Sequence, residues 1–179
     1  MHLDEKMIST DTVYEGRIFT ITHDMVTLED GSQADRDVLH HSGGVCVVPV
    51  TEDGQVYLVK QFRYPHSAVT TEIPAGKLEK GEDIAECGRR ELLEEIGCTC
   101  EEYTYLGAVL PTPAYDTEVI HIYMAQGLKK AQQHLDEGEF LDVEKVPLTE
   151  AVEMVMDGRI TDAKTQIGLL KAARLLEKK

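Results

Sequence analysis

The chain has 179 residues, 42% of them hydrophobic and 28% charged, which suits one ordinary globular core and does not suit a disordered chain. Asp and Glu outnumber Lys and Arg by 33 to 18, and the net charge of −15 argues against nucleic acid and anionic membranes as partners. No apolar run approaches the roughly 20 residues of a bilayer span, MHLDEKMIST lacks the apolar core of a secretory leader, and the four cysteines form no CxxC pair. Free thiols in a reducing cytoplasm are expected.

In chain order, residues 1–12 read as a loose polar tail. VYEGRIFTIT and DMVTLED are rich in β-branched and aromatic residues, and Asp30-Gly31 is a tight-turn dipeptide, so residues 13–42 are expected to be β-structure. GGVCVVPV and QVYLVKQF flank Glu52-Asp53-Gly54 as a second hairpin, apolar enough for central strands. A helix is expected from about Glu82 to Ile96, with acids in its first turn and Gly97 as its stop. Its stripe of Ala85, Gly88, Leu92 and Ile96 would face a sheet. YTYLGAVL, TEVIHIYMAQGL and EFLDVEKV supply further strands; LTEAVEMVMDG and DAKTQIGLLKAARLLEKK supply two more helices. Hairpins interleaved with helices predict a mixed-sheet α/β sandwich. The division expected is residues 1–42 as a small N-terminal β-segment and residues 43–179 as the main domain. A lone hairpin is only marginally stable, so packing of the N-terminal segment against a second chain is expected.

GKLEKGEDIAECGRRELLEEIG crowds Glu91, Glu94 and Glu95 behind Arg89 and Arg90. On a helix Glu91 and Glu95 stack about 6 Å apart with Glu94 alongside, and like charges at that spacing repel by roughly 0.2–0.5 kcal/mol per pair. A solvated acidic face and a divalent-cation site both fit this pattern. The preceding EIPAGKLEKGE loop, able to turn backbone groups towards a ligand, favours the cation. Glu82 and Arg90 lie near the same face, where an arginine can orient carboxylates through bidentate bonds.

The stretch resembles the Nudix signature. Gly76, Glu82, Arg90-Glu91, Glu94-Glu95 and Gly97 stand at the signature's intervals, with Leu92 at its aliphatic position and Cys98 where an aliphatic residue is usual. The resemblance implies a Nudix-type α/β/α sandwich and hydrolysis of a nucleoside diphosphate linked to another group. It assigns Glu91 and Glu95 as ligands of Mg²⁺, or of Mn²⁺, with Ala75 adding its backbone carbonyl. Glu94 assists, and Arg90 with Glu82 braces the loop and helix.

The flanks RDVLHHSGGVCVVPV, VKQFRYP, EIPAGKLEKGE and GRITDAKTQIGL resemble the ADP-ribose pyrophosphatase subfamily from about Val13 to the C-terminal helix. Pro113 falls near that subfamily's spacing, while Ala114 stands where glycine is usual. A diphosphate needs its oxygen charge neutralised before water can attack, and Arg63 and Arg36 are the candidates. Glu72 resembles a substrate-contacting acid, and Glu118 is read as a ribose ligand; with no Trp in the chain, adenine would have to stack on another planar group, for which Phe19 or Tyr14 is offered. In LDEGEFLDV, Glu139 is the favoured general base and Glu137 the second choice. The resemblance also implies a homodimer with exchanged N-terminal strands. The expected reaction is ADP-ribose plus water giving AMP and ribose 5-phosphate. Alternatives are another nucleoside diphosphate sugar such as GDP-mannose, or a module that binds ADP-ribose without cleaving it.

Overall fold

The computed structural model describes residues 2–178. They divide into two compact units, one holding the residues up to Gly43 with Leu110–Val119, the other Gly44–Val109 with Ile120 onwards. The PTPAYDTE loop thus groups with the N-terminal strands, although it follows them by some seventy residues.

The first unit is an antiparallel sheet in the order β1 (Lys6–Glu15), β2 (Phe19–Thr27), β3 (Gln33–His41). Of the polar tail expected over residues 1–12, residues 6–12 belong instead to strand β1. Every residue of β1 is exposed, so the strand carries no apolar alternation, and its ladder to β2 holds it in place. Leu110–Val119 joins the edge of β3: Leu39 N donates to Tyr115 O (2.7 Å), and Thr117 N donates to Leu39 O (2.9 Å).

The second unit contains two sheets. The larger runs β7 (Ala75–Lys77), β4 (Gly44–Pro49), β9 (Ile120–Lys130), β8 (Cys98–Val109), with β4 and β9 parallel and the other pairs antiparallel. The smaller runs β10 (Leu141–Pro147), β5 (Gln55–Arg63), β6 (Ala68–Glu72). β4 is wholly buried, and the period-two pleat divides it between two cores. Val45 and Val47, with Tyr123 and Ala125 of β9, pack on α1 (Ile84–Ile96) through Cys87, Leu92 and Ile96. Cys46 and Val48, with Ile122 and Met124, pack on α2 (Leu148–Met156) and α3 (Ala163–Leu176). Helices therefore cover both faces of a mixed sheet, the α/β/α sandwich expected. No helix among the described residues is long and apolar enough to cross a membrane.

Candidate active site

Helix α1 begins where the Asp83 side chain accepts from the backbone N–H groups of Ala85 (2.8 Å) and Glu86 (3.2 Å), and ends at Gly97 in the left-handed region (φ 61°). One face carries Cys87, Leu92 and Ile96 into the core, and Gly88 lets the helix approach the sheet. A Cβ at Gly88 would stand 2.0 Å from Tyr103 Oη and 2.8 Å from Val45 Cγ1. With that face fixed, Glu91 and Glu95 are turned inward beneath the loop around β7, and both are buried. The loop approaches so closely that a Cβ at Gly76 would meet Glu91 Oε1 at 1.7 Å, which is why the signature opens on glycine.

Arg90 ties this surface together. Its Nε donates to Glu82 Oε1 (2.9 Å) and its Nη1 to Glu91 Oε1 (2.6 Å) and Glu94 Oε2 (2.9 Å), while Nη2 reaches the Lys77 carbonyl (3.4 Å). Its bonds thus join the helix to the loop that precedes it. The Glu82 carboxyl, bonded by Arg90, is held down at about 2. Glu95 Oε2 accepts from the Ala75 N–H (3.1 Å), placing the expected ligand carbonyl's own residue beside the expected ligand carboxylate.

Burial pushes Glu95 up to about 8, reinforced by the charges of Glu91 and Glu139. Burial likewise pushes Glu91 up to about 7, the pull of Arg90 notwithstanding. The fold therefore confines carboxylates that resist joint ionisation, the electrostatic condition a divalent cation relieves. All the available donors are hard oxygens, the set that suits Mg²⁺ or Mn²⁺. Among the described residues no group of three or more His, Cys, Asp or Glu side chains is placed to hold an ion by itself, and Glu91 is drawn to Arg90. The residues present fit the ion: Glu91, Glu95 and the Ala75 carbonyl could hold it.

The segment 131–140 is fastened to the end of α1. Ala131 N donates to Gly97 O (2.7 Å), His134 N to Glu94 O (3.2 Å) and Gln133 Nε2 to Glu95 O (2.5 Å). These bonds satisfy carbonyls a helix end would leave open and carry Glu139 towards the acids. Glu139 Oε1 accepts from Gln61 Nε2 (3.3 Å) and Oε2 from Asp136 N (3.4 Å). Glu137 is exposed and makes no such contact among the described residues.

Arg63 and Glu72 meet across β5 and β6 in a fork of two 2.7 Å bonds, Nε to Oε1 and Nη2 to Oε2. Arg63 is also near enough to Glu95 to feel its charge. Glu72 accepts further from Thr70 Oγ1 (2.6 Å) and from Lys164 Nζ. Burial works against its ionisation, yet the Arg63 and Lys164 cations outweigh that and hold it at about 2. The remaining expected residues lie in the other unit. Arg36 is paired with Glu5 (Nη2 to Oε1, 2.6 Å), and Phe19 rests against Tyr14 with ring centres 5.7 Å apart. Glu118 Oε1 lies 3.3 Å from His41 Nδ1. Sequence reasoning passed over Gln61, Gln133 and Lys164. The only signal for Lys164 was its place in GRITDAKTQIGL, which carried no assigned role.

A mixed α/β/α sandwich presenting a carboxylate helix behind a glycine loop defines a class, and the comparisons agree with it. The chain belongs to the Nudix family, whose NUDIX domain model matches residues 40–166. It is 39% identical to the methanol dehydrogenase activator of Bacillus methanolicus over 93% of this chain and 91% of that one. It is 37% identical to the ADP-ribose pyrophosphatase of Bacillus subtilis strain 168 over 91% and 89% respectively. A GDP-mannose pyrophosphatase of Yersinia enterocolitica shares 33% identity over 78% of each chain. The crystal structure of an ADP compounds hydrolase matches with a TM-score of 0.88 at 21% identity, covering 99% of this chain and 97% of that one, a likeness of fold.

Proposed function

We propose that the protein hydrolyses the diphosphate bridge of ADP-ribose, giving AMP and ribose 5-phosphate with Mg²⁺ or Mn²⁺ at Glu91, Glu95 and the Ala75 carbonyl. The observation that carries the reading is the buried, mutually repelling pair Glu91 and Glu95 beside the Arg63–Glu72 fork. It is supported by the resemblance to the ADP-ribose pyrophosphatases along nearly the whole chain. When bound, a divalent cation neutralises diphosphate oxygens and makes a water easier to deprotonate. Arg63 adds positive charge at the diphosphate. Glu139, held by Gln61 and the Asp136 N–H at the mouth of the acid cluster, takes the proton of the attacking water. The water oxygen joins one phosphorus, and the bridging oxygen departs with the other phosphate. Glu94 and Arg90 keep the helix acids in place; Glu137 is the second choice for the base, in place of Glu139 and not beside it.

Arg36 is assigned to substrate on the resemblance, in a site shared in a homodimer, and Glu118 to the ribose; Phe19 is the planar group offered to adenine in a chain without Trp. The exposed apolar side chains Met7, Ile8, Val13 and Tyr14 of β1 and Ile18 of the turn that follows it support such a partner surface. The cysteines, all free thiols, support a reducing cytoplasmic setting. A second reading, cleavage of another nucleoside diphosphate sugar, is favoured by the GDP-mannose pyrophosphatase relatives and by Ala114. A non-catalytic binding module fits poorly with the complete set of helix acids. Measuring kcat/KM for ADP-ribose, GDP-mannose and NADH tests the proposal. ADP-ribose should lead, and a lead for GDP-mannose would transfer the assignment to the second reading.

A further inference from the structure

Helix α3 opens at Asp162-Ala163-Lys164-Thr165, and two of these side chains, Lys164 and Thr165, reach back to the end of the strand that leads into the Nudix loop. Asp162 caps the helix, accepting from Thr165 N (2.9 Å) and Thr165 Oγ1 (2.5 Å). Thr165 Oγ1 in turn accepts from the Ile73 N–H (2.9 Å), a bond spanning 92 residues in a buried setting. Lys164 Nζ pairs with Asp162 Oδ1 (3.0 Å) and with Glu72 Oε2, and its side chain is only 12% exposed. A buried ammonium is costly unless paired, and here it has two carboxylates.

The Glu72 carboxylate accepts four donors: Arg63 Nε and Thr70 Oγ1 on Oε1, Arg63 Nη2 and Lys164 on Oε2. That number fills the roughly four lone-pair sites of a carboxylate, and its side chain is 3% exposed. Glu72 therefore has nothing left to offer a substrate, and what it does to one it does through Arg63. The guanidinium gives Nε and Nη2 to Glu72, while Nη1 has no protein partner among the described residues.

We propose that Lys164, anchored by Asp162, is a positioning residue for the substrate's diphosphate: it locks the Glu72 carboxylate, which in turn holds Arg63 with one guanidinium edge committed and Nη1 left for a phosphate oxygen. The inference deepens the hydrolase reading and rests on it for the identity of the ligand. Removing Lys164 leaves Glu72 one cation short, so the fork with Arg63 gains freedom. A misplacement of about 1 Å at a clamp can lower rates up to 10²-fold. The same α3 terminus grips Ile73, so Glu72 and Ile73 are fixed in register three and two residues before Ala75.

The test is Lys164→Met, which removes the charge while keeping most of the length, measured with ADP-ribose in wild-type and Arg63→Ala backgrounds. The KM is expected to rise on the order of tenfold with kcat falling less than threefold, and the effect should vanish once Arg63 is gone. The same increment in both backgrounds would overturn the proposal, because Lys164 would then act on general packing. An independent readout is the ¹⁵N–¹H cross-peak of Arg63 Nε, assigned by its loss in Arg63→Lys. Slow exchange in the wild type, lost in Lys164→Met, is expected, and an unchanged cross-peak refutes the lock. Should Lys164→Met not fold, Asp162→Asn, which preserves a capping oxygen but removes the ammonium's second anchor, must shift KM and cross-peak in the same direction. If the wild-type protein leaves ADP-ribose intact, the hydrolase reading falls and the cross-peak alone decides the lock.

Discussion

Glu72→Gln offers a quantitative check on the electrostatics of the site. The wild-type carboxyl titrates at about 2 against an ordinary value of 4.5, because the Arg63 and Lys164 cations more than offset its burial. The folded state therefore binds the proton less readily than the unfolded chain. An acid with a depressed folded pKa contributes stability that is complete above the unfolded value and is lost as pH falls through the folded one. A gap of about 2.5 units at 1.36 kcal/mol each is worth roughly 3 kcal/mol at pH 7, and by pH 3 the same expression leaves about 1.4 kcal/mol.

Glutamine keeps the shape but can neither carry the charge nor accept all four donors. Urea unfolding of both proteins should show the variant less stable by roughly 3 kcal/mol at pH 7, a drop of about 6–12 °C in Tm for a chain of this size. The gap should narrow to less than half at pH 3. A gap of equal size at both pH values would mean that lost packing, and not lost charge, explains the variant, and the electrostatic account of the Arg63–Glu72–Lys164 cluster would fail.

Glu95→Gln should fold, retain the acceptor for the Ala75 N–H, and lose turnover by orders of magnitude; near-normal turnover in the purified variant refutes the ligand assignment. Glu139→Gln should lower kcat with little change in KM, whereas Glu137→Gln should leave both near wild type; a change in KM alone for Glu139→Gln rejects it as the base. Gly88→Ala should destabilise by about 1–3 kcal/mol in thermal melts, since the added methyl presses on Tyr103 and Val45. Stability equal to wild type there would show that the helix–sheet distance is not fixed as described.

The acidic helix was legible because its logic is local. One helical period places Glu91 and Glu95 together wherever the helix lies, and Asp83 and Gly97 mark its ends within the same short stretch. The two-sided core was legible too, since the unbroken apolar run of β4 already requires burial on both faces. Strand β1 was not, because an edge strand exposed on both faces has the composition of a tail. Nor were the groups that aim the site. Gln61 reaches Glu139 across 78 residues, and Lys164 reaches Glu72 across 92. Each looks like a surface polar residue until the sheet pairing brings the segments together. Glu72 illustrates the difference. The resemblance offered it as a substrate-contacting acid, and the structure buries it beneath an arginine and a lysine.

The same unit thus holds buried glutamates driven in opposite directions. Glu72, between two cations, is kept ionised down to about 2, while Glu95, beside Glu91 and Glu139, is pushed up to about 8. Burial opposes ionisation in both, so the divergence comes from neighbouring charge. A carboxylate whose charge is already spent on Arg63 and Lys164 is rigid and gives direction to a guanidinium. A carboxylate set short of positive charge is left able to take up an ion. On the proposed function the first kind of acid is the scaffold and the second the receptor. A diphosphate arriving with its cation needs both at once, because its oxygens require one cation fixed in advance and another that comes with them.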